Sequence, residues 1–320
     1  MTATADLSIF IQPLKPAASA RNLRTPPSRL DSFRHLYPDV DLPHYLAAES
    51  ASSFQNTSGW QNSSPTCSGN DYDLHVRLID LPTPTVLVER STLRSNISRM
   101  QHAATEAGIR LRPHAKTHKS AAIAQWQLEG GAIGITVAKV GEAEIFAEHG
   151  VSDIRIAYPL SPSTAPRILA LMERVCVSIV VDNACVARCW SNVMVEAGRQ
   201  LNVLVKVDVG FHRCGIDPGA SSAASFVGQI ATLPGLRLCG LLSHAGHGYD
   251  ATTINDVATI ARQEAALMEA LAANVRGAGI AVDEISVGST PTARFSLKER
   301  VVTELRPGNY VFSDLTQVAL

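Results

Sequence analysis

The chain has 320 residues, with 28 Lys and Arg against 29 Asp and Glu, a formal charge of −1. That balance gives no general pull on phosphate backbones or anionic lipid, which argues against a nucleic-acid or membrane-surface protein. Hydrophobic residues make up 46%, charged residues 18% and aromatics only 5%, so a large and mostly aliphatic core is expected.

The N-terminal part differs from the rest. Residues 15–34 carry Lys15, Arg21, Arg24, Arg29 and Arg34 among Ser and Pro, a faint transit-peptide texture that Asp6, Asp31 and the prolines weaken. No basic region with a long apolar core and cleavage site precedes it. A cytoplasmic location is the expectation, with mitochondrial targeting the alternative. Residues 51–70 are rich in Ser and Asn with no apolar period, so they cannot bury enough surface to offset their ordering entropy. A short amphipathic stretch over 30–46 is limited by Pro38 and Pro43. Residues 1–75 are expected to form a mostly disordered extension, with the folded domain over 76–320.

From Leu81 onward, short apolar runs alternate with amphipathic stretches. Strands are expected over 85–88, 111–114, 133–137, 154–158, 175–181, 201–207, 236–242 and 284–287. The longest apolar runs are strand-sized, far short of the roughly 20 residues that span a bilayer. Ser91 is a candidate helix cap before Leu93, Ile97 and Met100. The clearest helix covers 253–276. There Val257, Ala261, Ala265, Met268, Leu271 and Val275 form an apolar face, and Arg262, Glu264 and Glu269 fall between them. Alternating strands and helices imply a parallel sheet. Eight strand candidates past position 75 fit a (β/α)8 barrel of about 250 residues. The rival doubly wound sheet normally shows GxGxxG after its first strand, and none occurs.

The six cysteines, Cys67, Cys176, Cys185, Cys189, Cys214 and Cys239, form no CxxC pair and read as reduced, mostly buried thiols. Cys185 and Cys189, at i and i+4, are expected to pack inward. Asn56, Asn62 and Asn96 sit in N-x-S/T, chance matches in the absence of a secretion signal.

In a barrel, chemistry sits at the C-terminal ends of the strands. The unusual polar residues fall there: Arg112, His114, Lys116 and His118; Lys139 and Glu142; Asp208, His212 and Arg213; Ser243, His244 and His247; then Ser289, Thr290 and Thr292. In RPHAKTHK (112–119), a lysine flanked by cations at a barrel mouth tends toward a lowered pKa, and a neutral amine is a Schiff-base nucleophile. An ordinary basic loop is the alternative. His114 and His118 have a metal-ligand spacing, but on a strand end and without an HExxH glutamate. VGSTPT (287–292) and RPGN (306–309) are small-residue turns that suit a phosphate grip late in a barrel. Arg213, in VDVGFHRCG (207–215), offers a planar donor fork for a phenolate or carboxylate, unless it pairs with Asp208 or another rim acid. Cys214 has no evident base and reads as packing. A reactive lysine, a phosphate grip and an arginine together fit pyridoxal 5′-phosphate.

LPTPTVLVER, LRPHAKTHKSAAIAQWQ, GITVAKVGEAEIFAEHGVSDIRIAYP, VKVDVGFHRCGI, GLLSHAGHGYD, ISVGSTPTARF and TELRPGNYVFSD carry a resemblance over nearly the whole chain from Leu81. They resemble the D-threonine aldolase and D-serine dehydratase family, fold-type III pyridoxal-phosphate enzymes with an alanine racemase-like barrel. The resemblance implies that Lys116, rather than Lys119, carries the cofactor, with His114 beside it. Arg213 resembles the arginine that meets the cofactor ring. Ser289, Thr290, Gly308 and Asn309 resemble the phosphate site, and Arg306 stands where relatives vary. His244, His247 and Tyr249 lie where the family lines the substrate pocket, with His244 and His247 as catalytic candidates.

Family members continue into a β domain with a His-x-Cys or His-x-Asp pair for a divalent metal, Zn or Mn. No such pair occurs near Leu320, so no metal ligand is assigned and the C-terminal β domain is expected to be absent. The resemblance implies a lyase acting on a small-molecule β-hydroxy-D-amino acid. A D-threonine aldolase would give glycine and acetaldehyde; a D-serine dehydratase would give pyruvate and ammonia. A truncated, non-catalytic pyridoxal-phosphate-binding protein is the alternative of another class. A homodimer is the implied assembly, with no nucleic-acid or membrane partner.

Overall fold

In the computed structural model the described residues are 83–313. The expected extension, its amphipathic stretch and its transit-like segment lie outside them. Eight parallel strands run in the order β1-β8-β7-β6-β5-β4-β3-β2: β1 (Arg110–Leu111), β2 (Ile135–Val137), β3 (Asp153–Ile156), β4 (Cys176–Val181), β5 (Leu201–Lys206), β6 (Leu236–Leu242), β7 (Glu284–Val287) and β8 (Glu304–Leu305). The ends of that order meet: His114 bridges Thr136, and Ala115 N–H donates to Thr136 O at 2.8 Å. Around the sheet lie α1 (Arg90–Glu106), α2 (Ala121–Glu129), α3 (Val140–Glu148), α4 (Ala165–Met172), α5 (Ala184–Glu196), α6 (Ala223–Ala231), α7 (Ile254–Gly277) and α8 (Thr290–Ser296). This is the alternating barrel that the pattern implies.

Seven of the eight expected strands are present, two of them, β6 and β7, with the expected bounds. The eighth is a correction. Residues 85–88 form no strand; Val86 is 70% exposed and pairs with no strand among the described residues. The missing position in the ring is taken by β8, whose two residues sit in a charged stretch with no apolar run.

Helix ends follow capping chemistry. α7 begins with a capping box, Thr253 accepting from Asp256 N–H while Asp256 accepts from Thr253 N–H. α1 is capped by Glu89, not Ser91. The Glu89 carboxylate accepts the Ser91 hydroxyl and the N–H groups of Ser91 and Thr92, and these bonds, the Ser91 hydroxyl first, hold its pKa down at about 2.

Outward strand residues such as Ile154, Ile156, Val177, Ile179, Val203 and Val205 join helix residues Phe146, Ile168, Trp190, Met194 and Met268 in one aliphatic core. Trp190 is fully buried and donates from its indole to Leu160 O at 3.1 Å. On α5 that core takes Ala187, Trp190, Ser191 and Met194. Cys185 and Cys189 fall on the other side of the helix and are exposed, as is Cys176; Cys214 and Cys239 are half-buried. The inward packing expected for the thiols is therefore wrong. The five described cysteines are free thiols. Asn96 is buried and donates to Val311 O, so its glycosylation match is inaccessible.

Side chains on alternate strand positions meet inside the ring, and many are charged. Arg155 donates to Glu284, Glu304 and Ser178. Arg112 donates from Nε to Glu304 at 2.8 Å and from Nη1 to Asp153 at 2.6 Å. Above this layer Val180, Leu204 and Leu242 form a small apolar plug. At β6 the backbone of β7 comes so close that a Cβ at Gly240 would lie 1.9 Å from Glu284 O, so only glycine fits.

Among the described residues no helix is long and apolar enough to cross a membrane.

Candidate active site

The C-terminal ends of the strands bring most of the expected residues together. Lys116 follows β1 in a turn where His114 Nδ1 accepts Lys116 N–H at 3.3 Å. Its ammonium has no ion pair among the described residues. The residue as a whole is exposed, but the partial enclosure of its amine lowers the pKa, Arg213 and Arg306 push it further down, and Glu142 opposes them. Lys119 differs. Its Nζ lies 3.1 Å from Glu142 Oε1, and the other Glu142 oxygen accepts Ala138 N–H at 2.9 Å. The two lysines of RPHAKTHK are thus distinguished by geometry: one amine is held by a carboxylate and the other is left among cations.

His114 is half-buried, and its pKa falls well below the ordinary value through burial, then through Lys116, Arg306 and His244. His118 points elsewhere. It is buried edge-on to Phe146, its Nδ1 accepts Ser120 N–H at 3.1 Å, and burial lowers its pKa to about 4. The i, i+4 spacing therefore does not bring the two imidazoles to one point. Among the described residues no group of three or more His, Cys, Asp or Glu side chains could hold a metal ion.

His244 follows β6. Its Nδ1 bonds Gly288 O, and a carbonyl can only accept, so the proton sits on Nδ1 and the Nε2 lone pair is free. Burial lowers its pKa to about 3 despite that bond, with Lys116, Lys206 and Arg306 adding positive charge. The ring meets Phe211 edge-on at 6.0 Å. His247 and Tyr249 lie on the next 3-10 turn (Gly246–Tyr249). His247 packs where a Cβ on Gly210 would approach its Cε1 at 3.4 Å, and its Nδ1 is buried without a partner.

Arg213 forms no ion pair with Asp208. That carboxylate is instead turned to its own loop, accepting Gly210 N–H at 3.0 Å and His212 N–H at 2.9 Å, with His212 Nδ1 at 3.1 Å. Arg213 lies across the faces of Phe211 and Tyr158, 5.2 and 5.9 Å from the ring centroids, at the exposed rim.

The two late turns meet. Gly308 N–H donates to Thr290 Oγ1 at 3.2 Å, and Ser289 Oγ lies 2.8 Å from Thr292 Oγ1. A Cβ on Gly308 would stand 2.8 Å from Thr117 Oγ1 and 3.1 Å from His114 O, so glycine is needed for the turn to reach the lysine loop. Asn309 opens the short helical turn Asn309–Val311 beside it.

Three buried groups lie beneath this cluster, and of these only Lys206 carries no signal in the sequence reading. Lys206 ends β5, is 3% exposed, and has its pKa lowered to about 8, by burial first and then by Arg306. Arg306 follows β8; Nη1 donates to Ser286 Oγ at 2.5 Å, Nη2 donates to Ser243 O, and Nε has no partner. Burial pulls it down to about 10, which leaves it a cation at neutral pH. Glu264 is a correction. Read as part of the polar face of its helix, it is 1% exposed. Lys206 was hidden as the last residue of a strand-like run, and Glu264 by lying one residue before an apolar position.

A cavity of about 770 Å³ opens at the opposite end of the barrel, lined by Arg110, Arg237, Cys239, Glu284, Lys298 and Thr303 among others. Its size does not make it the reactive centre: the unpaired amine, the free imidazole nitrogen and the glycine-lined approach are all at the other end.

These features define an eight-stranded parallel barrel with a lysine free of any ion pair at its mouth, among the described residues. Residues 88–315 match the family described as alanine racemase, N-terminal domain, and the chain belongs to that family of fold-type III enzymes. It is 36% identical over 239 residues to a D-threo-3-hydroxyaspartate dehydratase of Delftia sp. (strain HT23), covering 74% of this chain and 63% of that protein. It is 37% identical over 238 residues to a D-threonine aldolase of Arthrobacter sp., covering 74% of this chain and 62% of that one. The solved structure of D-threonine aldolase from Filomicrobium marinum superposes with a TM-score of 0.72 at 29% identity, over 76% of this chain and 65% of that one. The chain thus spans under two thirds of the length of these relatives.

Proposed function

We propose that this chain is the pyridoxal 5′-phosphate-binding barrel of a lyase acting on β-hydroxy-D-amino acids. The observation that carries the reading is the Lys116 amine, without an ion pair among the described residues and lowered in pKa, near enough to Arg213 and His244 for their charges to interact. The donor set fits the cofactor. Lys116 would bind its aldehyde carbon. Arg213, unpaired by any acid among the described residues, would meet a polar edge of the ring. Ser289, Thr290, Gly308 and Asn309 would hold the phosphate. For Gly308 N–H to serve there, the Thr290 hydroxyl must turn from accepting that N–H to donating toward the phosphate. Bound at this place, pyridoxal phosphate supplies an electron sink for the bond broken at the substrate Cα.

The remaining chemistry belongs to the side chains. Arg306 favours the neutral form of Lys116, and with Lys206 it would keep the floor of the site positive toward the substrate carboxylate. His244, whose lowered pKa keeps it neutral at physiological pH, would offer Nε2 as the acceptor for the proton of the substrate β-hydroxyl. His247 and Tyr249 line the same turn. Retro-aldol cleavage of D-threonine to glycine and acetaldehyde is the leading reading, supported by the Arthrobacter relative. The Delftia relative, matched over a span of the same size, favours a second one, loss of the hydroxyl in a dehydratase.

The full chain should develop a borohydride-reducible visible band with pyridoxal phosphate, and the band should change on adding D-threonine. Acetaldehyde and glycine identify the aldolase; ammonia and an oxo acid from D-serine or D-threo-3-hydroxyaspartate identify the dehydratase. No visible band from the folded chain would overturn the cofactor reading.

A further inference from the structure

Glu264 stands on α7, a helix whose other buried residues are apolar, yet it is fully enclosed. A carboxylate is costly to bury unless it is bonded for a purpose. One oxygen does all the bonding. Glu264 Oε1 accepts Ser243 Oγ–H at 2.6 Å and Ala245 N–H at 3.1 Å. These two donors lie on either side of His244. The other oxygen, Oε2, is buried without a partner.

The rest of the turn is pinned around the same residue. Arg306 donates to Ser243 O, Ser243 N–H donates to Ser286 O at 3.0 Å, and Gly246 N–H donates to His244 O at 2.9 Å. The His244 ring is fixed by Gly288 O at one edge and Phe211 at another. Backbone and ring must both be held for Nε2 to keep one direction. Among the described side chains, Glu264 holds the backbone from the helix side, so the helix that packs outside the barrel reaches through to the rim.

We propose that Glu264 is a positioning residue whose single oxygen clamps Ser243 and Ala245 and thereby fixes His244 with its proton on Nδ1 and its Nε2 unengaged at the barrel mouth. The inference rests on the proposed placement of His244 in the active site. It deepens that reading by assigning a residue that touches neither substrate nor cofactor.

The clamp needs an acceptor at Oε1 and not a negative charge. Glu264→Gln keeps that acceptor; Glu264→Ala removes it. The test is made on the full chain without added cofactor, so it does not depend on turnover. Long-range 15N NMR of the imidazoles reports the His244 tautomer, and amide hydrogen exchange reports Ala245. In Glu264→Ala, loss of one buried hydrogen bond should speed Ala245 exchange about tenfold and mix the His244 tautomers. Glu264→Gln should retain both signatures, and exchange in β3 and β4 should stay unchanged in both variants. Should Glu264→Ala not fold, Ser243→Ala removes one of the two clamped donors and should shift the His244 signal in the same direction. Unchanged Ala245 exchange and an unchanged His244 tautomer in the folded alanine variants would overturn the proposal, as would a Gln variant that behaves like Ala. If the signatures respond but no visible band forms with pyridoxal phosphate, the clamp stands and the cofactor reading fails.

Discussion

Glu304→Gln tests the charged interior of the barrel. The Glu304 carboxylate is 0% exposed and serves two guanidiniums, Arg112 through Oε2 and Arg155 through Oε1, with Ser286 Oγ donating at 2.5 Å. Burial alone would raise its pKa, but Arg155 and Arg112 outweigh burial and hold it at about 2 instead of 4.5. A difference of that size is worth about 3 kcal/mol of stability at neutral pH. Glu284 offsets some of this: its carboxyl is pushed up by burial and then by the Glu304 charge, and the variant relieves that repulsion. A net loss of about 2–3 kcal/mol is expected, in line with removal of one partner from a buried ion network. For a domain of this size that is roughly 4–12 °C in Tm. The assay is urea and thermal unfolding by circular dichroism from pH 7 to pH 2. A lowered carboxyl stabilises above the unfolded-state pKa, and that stabilisation is lost as pH falls through the folded value. The gap between wild type and variant should therefore close between about pH 4.5 and pH 2. A gap under about 0.5 kcal/mol at pH 7, or one independent of pH in that window, would refute the reasoning.

Other outcomes follow from the mouth. Lys116 has a lowered pKa partly because of Arg213, so the pH midpoint for capture of pyridoxal phosphate should lie below 10.5. Arg213→Gln should move that midpoint upward and slow capture at pH 7.5; stopped-flow absorbance measures both. Gly308→Ala would force a Cβ against Thr117 Oγ1 and His114 O, spreading the lysine and phosphate turns. A stability loss of about 1–3 kcal/mol and at least a tenfold weaker cofactor Kd are expected, read by denaturation and by absorbance titration. Lys119→Met removes an amine that is held by Glu142, so it should leave the reducible visible band in place.

The outer shell of the barrel was legible because apolar runs become outward strand faces and apolar helix stripes cover them. Val177, Ile179 and Val181 in β4, and Val257 through Val275 in α7, behave as their periodicity implies. The interior was not. Arg155 lies between two isoleucines in β3 and Ser178 between Val177 and Ile179 in β4, and only the closing of the ring shows that Arg155 meets Ser178, Glu284 and Glu304. β8 was missed for the same reason, since its burial comes from neighbours distant in sequence. At the mouth, RPHAKTHK and the two glycine turns pointed to a lysine and a phosphate grip without structure. The preference for Lys116 over Lys119 came from the resemblance alone; its geometric basis is Glu142, 23 residues beyond Lys119 and on α3, which no local pattern links to that lysine. That Arg213 is not paired with Asp208 shows only in the fold, where Asp208 bonds its own loop instead.

The most direct test of the central claim is peptide mapping after the full chain is incubated with pyridoxal phosphate and reduced with borohydride. The account predicts one pyridoxyl adduct, on Lys116, which persists in Lys119→Met and disappears in Lys116→Met. An adduct on Lys119 or Lys206 in place of Lys116, or no specific adduct on the folded chain, would contradict it.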